Sequence, residues 1–337
     1  MSRPEAPEGP LALAADAGIH RLSLPTPFAI GRVNLYLVQD EPLTLFDTGP
    51  NSGTTLDELE QALAEYGHAI EDLGLIVLTH QHMDHVGLLE ILARRSGAEV
   101  AAFAPLQGWL ADYDASATGD DEYAQAVMRR HGVPEELVAV LGVVASAFHT
   151  YGSSGDVTRP LHDGDRLELR HRSFEVLHRP GHSPSDMVFW DGARRVLIGG
   201  DHLLAHISSN PVVHRPLSGD TGGPRPTPLI DYISSMRATA ELPAEIVLGG
   251  HGEPVLDHRE LIGERLRLHE RRARKILRML RREPLTAHQI AIEMWGNVAV
   301  TQAFLTVSEV LGHLDLLRAR GEVAELDGDD VSRFEAT

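Results

Sequence analysis

A fully apolar segment runs directly into a dense cluster of ionisable side chains, and this junction constrains the fold more than any other feature of the chain. Residues 75–78 are all aliphatic and predict a buried β-strand, and His80, His82, Asp84 and His85 follow within six residues. In layered α/β folds, ligand-binding side chains typically stand at the carboxyl ends of such strands. Because imidazoles and carboxylates are costly to hold together without a cation, the cluster predicts a metal site.

Further candidate ligands occur at wide intervals along the chain. His182, Asp201, His251 and, upstream, Asp47 each follow a β-like run and lie close to glycine. The chain has 19 histidines, and an isolated histidine is more often an ordinary surface or core residue than a ligand. The ordered set, with each member at a strand end, favours a metal site over that simpler interpretation.

The ordered set resembles the metal site of the metallo-β-lactamase superfamily, close to its glyoxalase II-like hydrolase branch, over about residues 15–256. The resemblance implies two metal ions with these ligands: His80, His82 and His182 at the first, Asp84, His85 and His251 at the second, and Asp201 bridging both. It also implies that Asp47 orients a ligand histidine, a role that fixes tautomer and ring direction. A donor set of this kind suits Zn(II) first, with Mn(II) and Fe(II) tolerated.

The resemblance implies an α/β fold, namely an αββα sandwich, with a catalytic domain over residues 1–256. The sequence patterns agree, because strand-like and helix-like segments occur in two successive series. The strand-like segments are residues 34–38, 43–46, 75–78, 98–103, 167–169, 174–177, 187–190, 196–199 and 246–248. The helix-like segments are residues 52–66, 86–95 and 228–240.

A helical insertion is expected at about residues 105–150, where apolar residues repeat at helical spacing. In the resembling family such an insertion lies over the metals and shapes the substrate pocket. Simple packing of these helices on the sheet edge is an equally good interpretation of the pattern.

The segment 257–337 predicts a small winged-helix-like domain. Helical patterns over residues 259–282, 286–294 and 304–320 precede two strand-like segments, 322–326 and 331–334, around a turn at 327–330. This order resembles the winged-helix domain appended to some β-lactamase-like hydrolases, including a mitochondrial endoribonuclease. Nucleic-acid binding is disfavoured, because acidic side chains offset the arginines on the helix that would enter a groove. We expect packing, a homodimer contact or pocket lining instead.

The charge and the amino-acid composition exclude several classes of protein. The formal net charge of −19 argues against a nucleic-acid-binding surface and against binding to an anionic membrane. The chain has no cysteine, so it has no disulfide framework. It also lacks the cysteine that β-lactamases of this superfamily often place at the bridging position. No long apolar segment occurs near the first residues, and we expect a soluble cytoplasmic protein.

The resemblance therefore predicts a binuclear metal-dependent hydrolase in which metal-bound hydroxide attacks a thioester or ester carbonyl of a small-molecule substrate. Asp84 and Asp201 are the candidate catalytic carboxylates. His202 is expected to be structural, and Ser183 lacks a partnered base. The alternatives are RNA phosphodiester cleavage, lactone hydrolysis and, last, a non-enzymatic DNA-binding regulator. A persulfide dioxygenase, which uses a single iron, is disfavoured by the intact set of ligands for a second metal.

Overall fold

The computed structural model describes residues 9–326 and 331–337. The turn predicted at residues 327–330 and the first eight residues lie outside this range. Two β-sheets account for most of the strands. The first sheet contains, in spatial order, β1 (Ile19–Leu24), β2 (Val33–Val38), β3 (Thr44–Phe46), β4 (Leu75–Val77), β5 (Glu99–Phe103) and β6 (Arg159–Leu161). The second contains β7 (Arg166–Glu168), β8 (Ser173–His178), β9 (Met187–Asp191), β10 (Val196–Gly200) and β11 (Ile246–Gly249).

The two sheets mix parallel and antiparallel pairing. Strands β1, β2 and β3 are antiparallel neighbours, whereas β3 to β6 run parallel. In the second sheet β10 and β11 are parallel and the other pairs antiparallel. Of the strands with a parallel neighbour, β3, β4, β10 and β11 are buried throughout and mostly aliphatic, which is typical of a sheet covered on both faces. Their carboxyl ends therefore point to the same edge of the molecule.

Helices surround the sheets and extend beyond them. They are α1 (Leu11–Asp16), α2 (Gly53–Glu65), α3 (Met83–Val86), α4 (Leu89–Ser96), α5 (Gln107–Ala111), α6 (Tyr113–Arg130), α7 (Glu135–Phe148), α8 (Pro228–Ala240), α9 (His258–Leu280), α10 (Ala287–Trp295), α11 (Val298–Thr301) and α12 (Ala303–Ala319). The insertion predicted over residues 105–150 is helical, as α5, α6 and α7.

Three layers of apolar packing give the sandwich its order. Between the sheets, Phe46 makes edge contacts with Phe174 and Phe189, with ring centroids 5.4 and 5.0 Å apart. Leu59 of α2 is buried against the outer face of the first sheet, and Met236 of α8 against the outer face of the second. Burial of such side chains is the main stabilising contribution to folding. The predicted αββα sandwich is confirmed.

The helix predicted over residues 86–95 is wrong in its details. Helix α3 begins three residues earlier, at Met83, and a turn at Gly87 and Leu88 separates it from α4. The amide of Leu88 donates to the carbonyl of Gly49 at 3.1 Å and so leaves the helical ladder. Gly87 packs against backbone so closely that a Cβ there would lie 2.2 Å from the amide nitrogen of Asn51. The short elements α1, β1, β6 and α11 were not predicted.

The C-terminal segment shares its core with the helical insertion. Helices α9 to α12 precede an antiparallel pair, β12 (Val323–Leu326) and β13 (Arg333–Ala336). Thr286 caps α10 through a reciprocal pair of hydrogen bonds with Gln289. Leu311 of α12 belongs to one hydrophobic cluster with Val127 of α6 and Val138 of α7. The winged-helix assignment and a domain boundary near residue 257 stay predictions.

Helix α12 is buried along most of its length, from Thr306 to Asp315. Its two acidic residues are not on a solvated face. Glu309 accepts from Arg272 at 2.6 Å, and Asp315 accepts from Arg225 at 2.6 Å. This is the helix that would enter a nucleic-acid groove in a winged-helix interpretation, and the packing leaves it little free surface.

Across the residues that the structure describes, no helix is long and apolar enough to cross a membrane.

Candidate metal centre

The ends of five strands bring all eight predicted site residues together at one edge of the sandwich. Asp47 follows β3, the cluster that begins at His80 follows β4, His182 follows β8, Asp201 follows β10, and His251 follows β11. The parallel strands dictate this convergence, since their carboxyl ends share one edge. His80 lies in the loop after β4, and α3 presents Asp84 and His85 from its first turn.

The first group of side chains consists of three histidines whose ring nitrogens converge. His82 Nδ1 lies 3.0 Å from His80 Nε2 and 2.9 Å from His182 Nε2. One proton on His82 Nδ1 can satisfy only one of these neighbours at a time, so the arrangement is better completed by a cation. Burial lowers the pKa of His80 well below its ordinary value and, with the neighbouring His182, lowers the pKa of His82 to about 3. Both rings are therefore neutral, which is the form that binds metals.

The second group consists of Asp84, His85 and His251. His251 Nε2 lies 3.3 Å from Asp84 Oδ2, and His85 Nε2 lies 3.9 Å from Asp84 Oδ1. Burial disfavours a charged His85, but the carboxylates of Asp201, Asp47 and Asp84 outweigh that effect and raise the pKa of His85 well above its ordinary value. The three carboxylates thus make the surroundings of His85 favourable for a positive charge.

Asp201 lies between the two groups. Its Oδ1 is 3.5 Å from His85 Nε2, and its Oδ2 is 3.6 Å from His182 Nε2 and 3.5 Å from His251 Nε2. One carboxylate therefore faces histidines of both groups at nearly equal distance. This position is the one that a bridging ligand would need.

Three buried atoms at the centre of the site have no hydrogen-bond partner among the residues that the structure describes: His85 Nε2, Asp201 Oδ1 and His251 Nε2. An unsatisfied buried polar atom costs roughly 1–3 kcal/mol. Space is kept open beside them, because a Cβ at Gly250 would lie 2.3 Å from Asp201 Oδ1. The donor atoms within each histidine and aspartate group lie within 4.8 Å of one another. The residues therefore fit a divalent metal, which would satisfy these atoms together.

Asp47 contacts the ring nitrogen of His85 that faces away from Asp201. Its Oδ2 lies 2.9 Å from His85 Nδ1, and its carboxylate also accepts from the amide and hydroxyl of Thr79 at 2.8 and 2.9 Å. Asp47 has a positive φ of 62°, a conformation that aspartate tolerates better than most residues. The contact directs His85 Nε2 towards Asp201, as an outer carboxylate does for a ligand histidine.

Four supporting residues were not singled out from the sequence. The backbone carbonyl of Arg32 lies 2.8 Å from His251 Nδ1, which turns His251 Nε2 into the site. The Tyr36 hydroxyl donates to the carbonyl of Gly249 at 2.7 Å. The side-chain amide of Asn34 donates to backbone carbonyls on either side of His251. Thr79, which donates to Asp47, is the fourth supporting residue. These contacts join residues far apart in sequence, so no local pattern indicates them.

Two residues near the centre have structural contacts instead of ligand positions. His202 Nε2 lies 2.9 Å from the Thr239 hydroxyl, and burial lowers the pKa of His202 to about 3. The Ser183 hydroxyl donates to Asp186 at 2.7 Å, and burial raises the pKa of that carboxyl to about 6. His202 thus has the structural contact that was expected, whereas the carboxylate partner of Ser183 was not expected from the sequence.

A cavity of about 630 Å³ opens beside the site. Its base includes His82, Asp84, His182 and Asp201. The helices α6 and α7 form one wall, and residues 301–305 of the C-terminal segment form another. The insertion thus lines the cavity in addition to packing against the C-terminal helices.

Comparisons with known proteins agree with this geometry. The sequence model described as the metallo-beta-lactamase superfamily matches residues 29–251. The protein named "Probable metallo-hydrolase YqjP" from Bacillus subtilis (strain 168) is 34% identical over 301 residues, or 88% of this chain and 91% of that protein. A metallo-beta-lactamase family protein from Thermus thermophilus has a TM-score of 0.79 and 28% identity, covering 95% of this chain and 99% of its own. A beta-lactamase domain protein from Burkholderia ambifaria has a TM-score of 0.78 and 26% identity, covering 95% and 91%.

A more distant similarity concerns a human protein named "Acyl-coenzyme A thioesterase MBLAC2". It is 27% identical over 183 residues, which are 50% of this chain and 58% of that protein. The two bacterial structures, in contrast, cover most of this chain, including most of the segment that follows residue 251.

Proposed function

The chain belongs to the metallo-β-lactamase superfamily of metal-dependent hydrolases, and on that premise we propose that it is a binuclear zinc enzyme that hydrolyses a thioester or ester. One observation carries the proposal. Asp201 stands between two groups of potential ligands, with oxygens 3.5–3.6 Å from His85, His182 and His251, at the base of a cavity.

Each group would hold one metal. His80, His82 and His182 would hold the first, and Asp84, His85 and His251 the second, with Asp201 contributing to both. When bound, such a pair of ions acidifies a water molecule and polarises a carbonyl oxygen. Zinc suits the histidine-rich donors best, and Mn(II) or Fe(II) would be tolerated.

The protein's own groups would position the reactants. Asp201 would fix the separation of the two ligand groups. Asp84 has an oxygen facing His251 and also borders the cavity, so its carboxylate is placed to accept a proton from a water at the base. The neutral rings of His80 and His82 leave their lone pairs free for metal binding. The walls of the cavity would exclude bulk water from the reacting carbonyl.

An acyl substrate is supported over a nucleic acid by the surroundings of the site. The cavity walls are mainly apolar, and Arg215, the arginine among the described lining residues, already pairs with Asp120 at 2.8 Å. Helix α12 is buried, and the net charge is −19, which opposes polyanion binding. The human relative whose name says that it acts on acyl-coenzyme A points the same way. By analogy with glyoxalase II, the bond that we propose to be cleaved is therefore that of a thioester or ester.

A substrate panel tests the proposal. The zinc-loaded full chain would be assayed with an acyl-glutathione, an acyl-coenzyme A, an acyl-homoserine lactone, bis-p-nitrophenyl phosphate and a single-stranded RNA. We expect turnover of a thioester and none of RNA. Asp201→Ala should lose at least about 100-fold in rate, because the residue between the two groups is gone. The matched control, Asp57→Asn on the exposed face of α2, should retain wild-type turnover.

Turnover of RNA or of the phosphodiester with inert thioesters would overturn the assignment in favour of a phosphodiesterase. Preferred lactone turnover would identify a lactonase. Wild-type rates in Asp201→Ala would show that this carboxylate does not join the two ligand groups.

A further inference from the structure

We propose that the cavity beside the metal centre is a pocket for a medium- or long-chain apolar acyl group, and that its C-terminal wall helps to set the accepted chain length. The inference rests on the proposed hydrolase function and names its substrate class. The chemistry would be hydrolysis: water adds at the acyl carbon, the bond to sulfur or oxygen breaks, and the leaving atom takes a proton. The products are a carboxylate and a thiol or alcohol.

The first argument is the character of the cavity walls. The ring of Phe28 contacts that of Phe148 of α7 in a tilted arrangement, with centroids 5.6 Å apart, and both residues line the cavity. Met128 of α6, Val213 and Phe304 of α12 add further apolar surface. An apolar chain gains free energy from leaving water for such walls, in proportion to the area buried. A polar or charged chain would lose its hydration without compensation.

The second argument is that the charged groups of the cavity walls, away from the metal centre, are paired with one another. Asp120 accepts from Arg215 Nε at 2.8 Å and from the indole nitrogen of Trp109 at 2.9 Å. His149 Nε2 lies 2.9 Å from Asp121 Oδ2. A ligand with a phosphate or carboxylate deep in the cavity would have to break one of these pairs. A neutral hydrocarbon chain would not.

The third argument concerns the C-terminal wall. Residues 301–305 span the junction of α11 and α12 and line the cavity. The junction is held in place, since the side-chain amide of Asn210 donates to the carbonyl of Leu305 at 3.2 Å. Ala303 and Val307 lie in the same hydrophobic cluster as Met128 of α6. The wall is therefore a fixed part of the pocket, and its side chains can limit ligand length.

The size of the cavity supports an extended acyl group. Its volume of about 630 Å³ lies well within the range of about 300–1,000 Å³ typical of pockets that enclose drug-sized ligands. An acetyl group would leave most of it unfilled. Each methylene added to the chain should improve binding about fourfold until the cavity is filled, which corresponds to ~0.8 kcal/mol.

Matched tryptophan substitutions test the proposal on the full chain. Ala145→Trp on α7 and Leu305→Trp on α12 would each fill part of the cavity. Their controls, Ala147→Trp on α7 and Val300→Trp on the adjoining helix α11, are exposed positions outside the cavity lining. Leu305 and Val300 are 39% and 40% exposed, so the pair is closely matched for its effect on folding.

Two readouts separate this inference from the proposed function. The first is kcat/KM for acetyl, hexanoyl, decanoyl and palmitoyl thioesters. The second, which needs no turnover, is calorimetric binding of the corresponding free fatty acids to the zinc-loaded protein. We expect both to rise about fourfold per methylene in the wild type until the cavity is filled, and to level off beyond that length. Relative to their acetyl values, the two cavity variants should lose about tenfold or more for the longest chains, whereas the controls should match the wild type at every length.

Fatty-acid binding that does not depend on chain length, or equal effects of cavity and control variants, would overturn the acyl-pocket proposal even if thioesters are hydrolysed. Chain-length-dependent binding without any hydrolysis of esters or thioesters would support the pocket and contradict the proposed function instead.

Discussion

Asp47 and His85 are 38 residues apart in sequence, yet Asp47 Oδ2 lies 2.9 Å from His85 Nδ1 in the buried floor of the metal centre. The same carboxylate accepts two hydrogen bonds from Thr79, immediately before His80. One side chain after β3 therefore orients a ring on α3 and secures the loop after β4. The two ligand groups depend on this contact, because it fixes which nitrogen of His85 faces Asp201.

Asp47→Asn should weaken metal binding about 10- to 100-fold, the usual effect of losing an outer carboxylate behind a ligand histidine. The carboxylate of Asp47 uses both of its oxygens as acceptors for His85 and Thr79. The asparagine amide would have only one acceptor oxygen for the same partners. Competition with a chromophoric chelator would measure the affinity, with Asp57→Asn as the exposed control. Wild-type affinity in Asp47→Asn would show that the contact with His85 is incidental.

Gly250→Ala should abolish activity and reduce metal content. The added Cβ would lie 2.3 Å from Asp201 Oδ1 and 2.8 Å from His85 Cε1, closer than real contacts allow. Something at the centre of the site would have to move. The control is Gly53→Ala in the first turn of α2, where a Cβ would meet nothing within 4 Å. Elemental analysis and thioester turnover give the answer, and a fully active Gly250→Ala protein would contradict the geometry of the centre.

Leu311→Ala should destabilise the whole chain by roughly 2–5 kcal/mol, because a fully buried side chain leaves a cavity in the cluster shared by α12, α6 and α7. Ile292→Ala on α10, 39% exposed in the structure, is the control and should cost far less. We expect one cooperative transition, with loss of activity and of helical circular dichroism at the same denaturant concentration. Two separate transitions would show that the C-terminal segment unfolds independently of the helical insertion.

The sequence could indicate a candidate site because its signal is local. His80, His82, Asp84 and His85 occur together after an aliphatic strand, and the later ligands stand at strand ends beside glycine. Parallel strands then bring these ends to one edge. Nothing comparable marks Tyr36, whose hydroxyl supports the loop of His251 from another part of the chain. Such supporting contacts depend on tertiary structure alone.

The C-terminal helices show the limit of periodicity. Glu309 and Asp315 on α12 suggest a solvated face when the sequence is considered alone. In the structure both are buried, because Arg272 and Arg225 reach them from α9 and from the loop before α8. A buried acidic residue paired with a remote arginine has the same local pattern as an exposed one. The contribution of residues 301–305 to the cavity depends on this packing and could not be predicted either.

The break between α3 and α4 is a further example. The aliphatic and charged residues after Val86 are compatible with one continuous helix. The interruption arises because the Leu88 amide bonds to Gly49 after β3 and because Gly87 is pressed against the backbone of Asn51. Contacts with another strand's loop therefore decide where the helix ends, and these contacts also position Asp84 and His85.

The central claim is a centre for two metal ions, and metal stoichiometry tests it most directly. Protein purified from zinc-supplemented culture would be analysed by elemental mass spectrometry, beside His251→Ala, which removes one ligand of the second group. The account predicts close to two zinc ions per wild-type chain and about one in His251→Ala, whose first group of histidines is intact. A single ion per wild-type chain that His251→Ala leaves unchanged would contradict it.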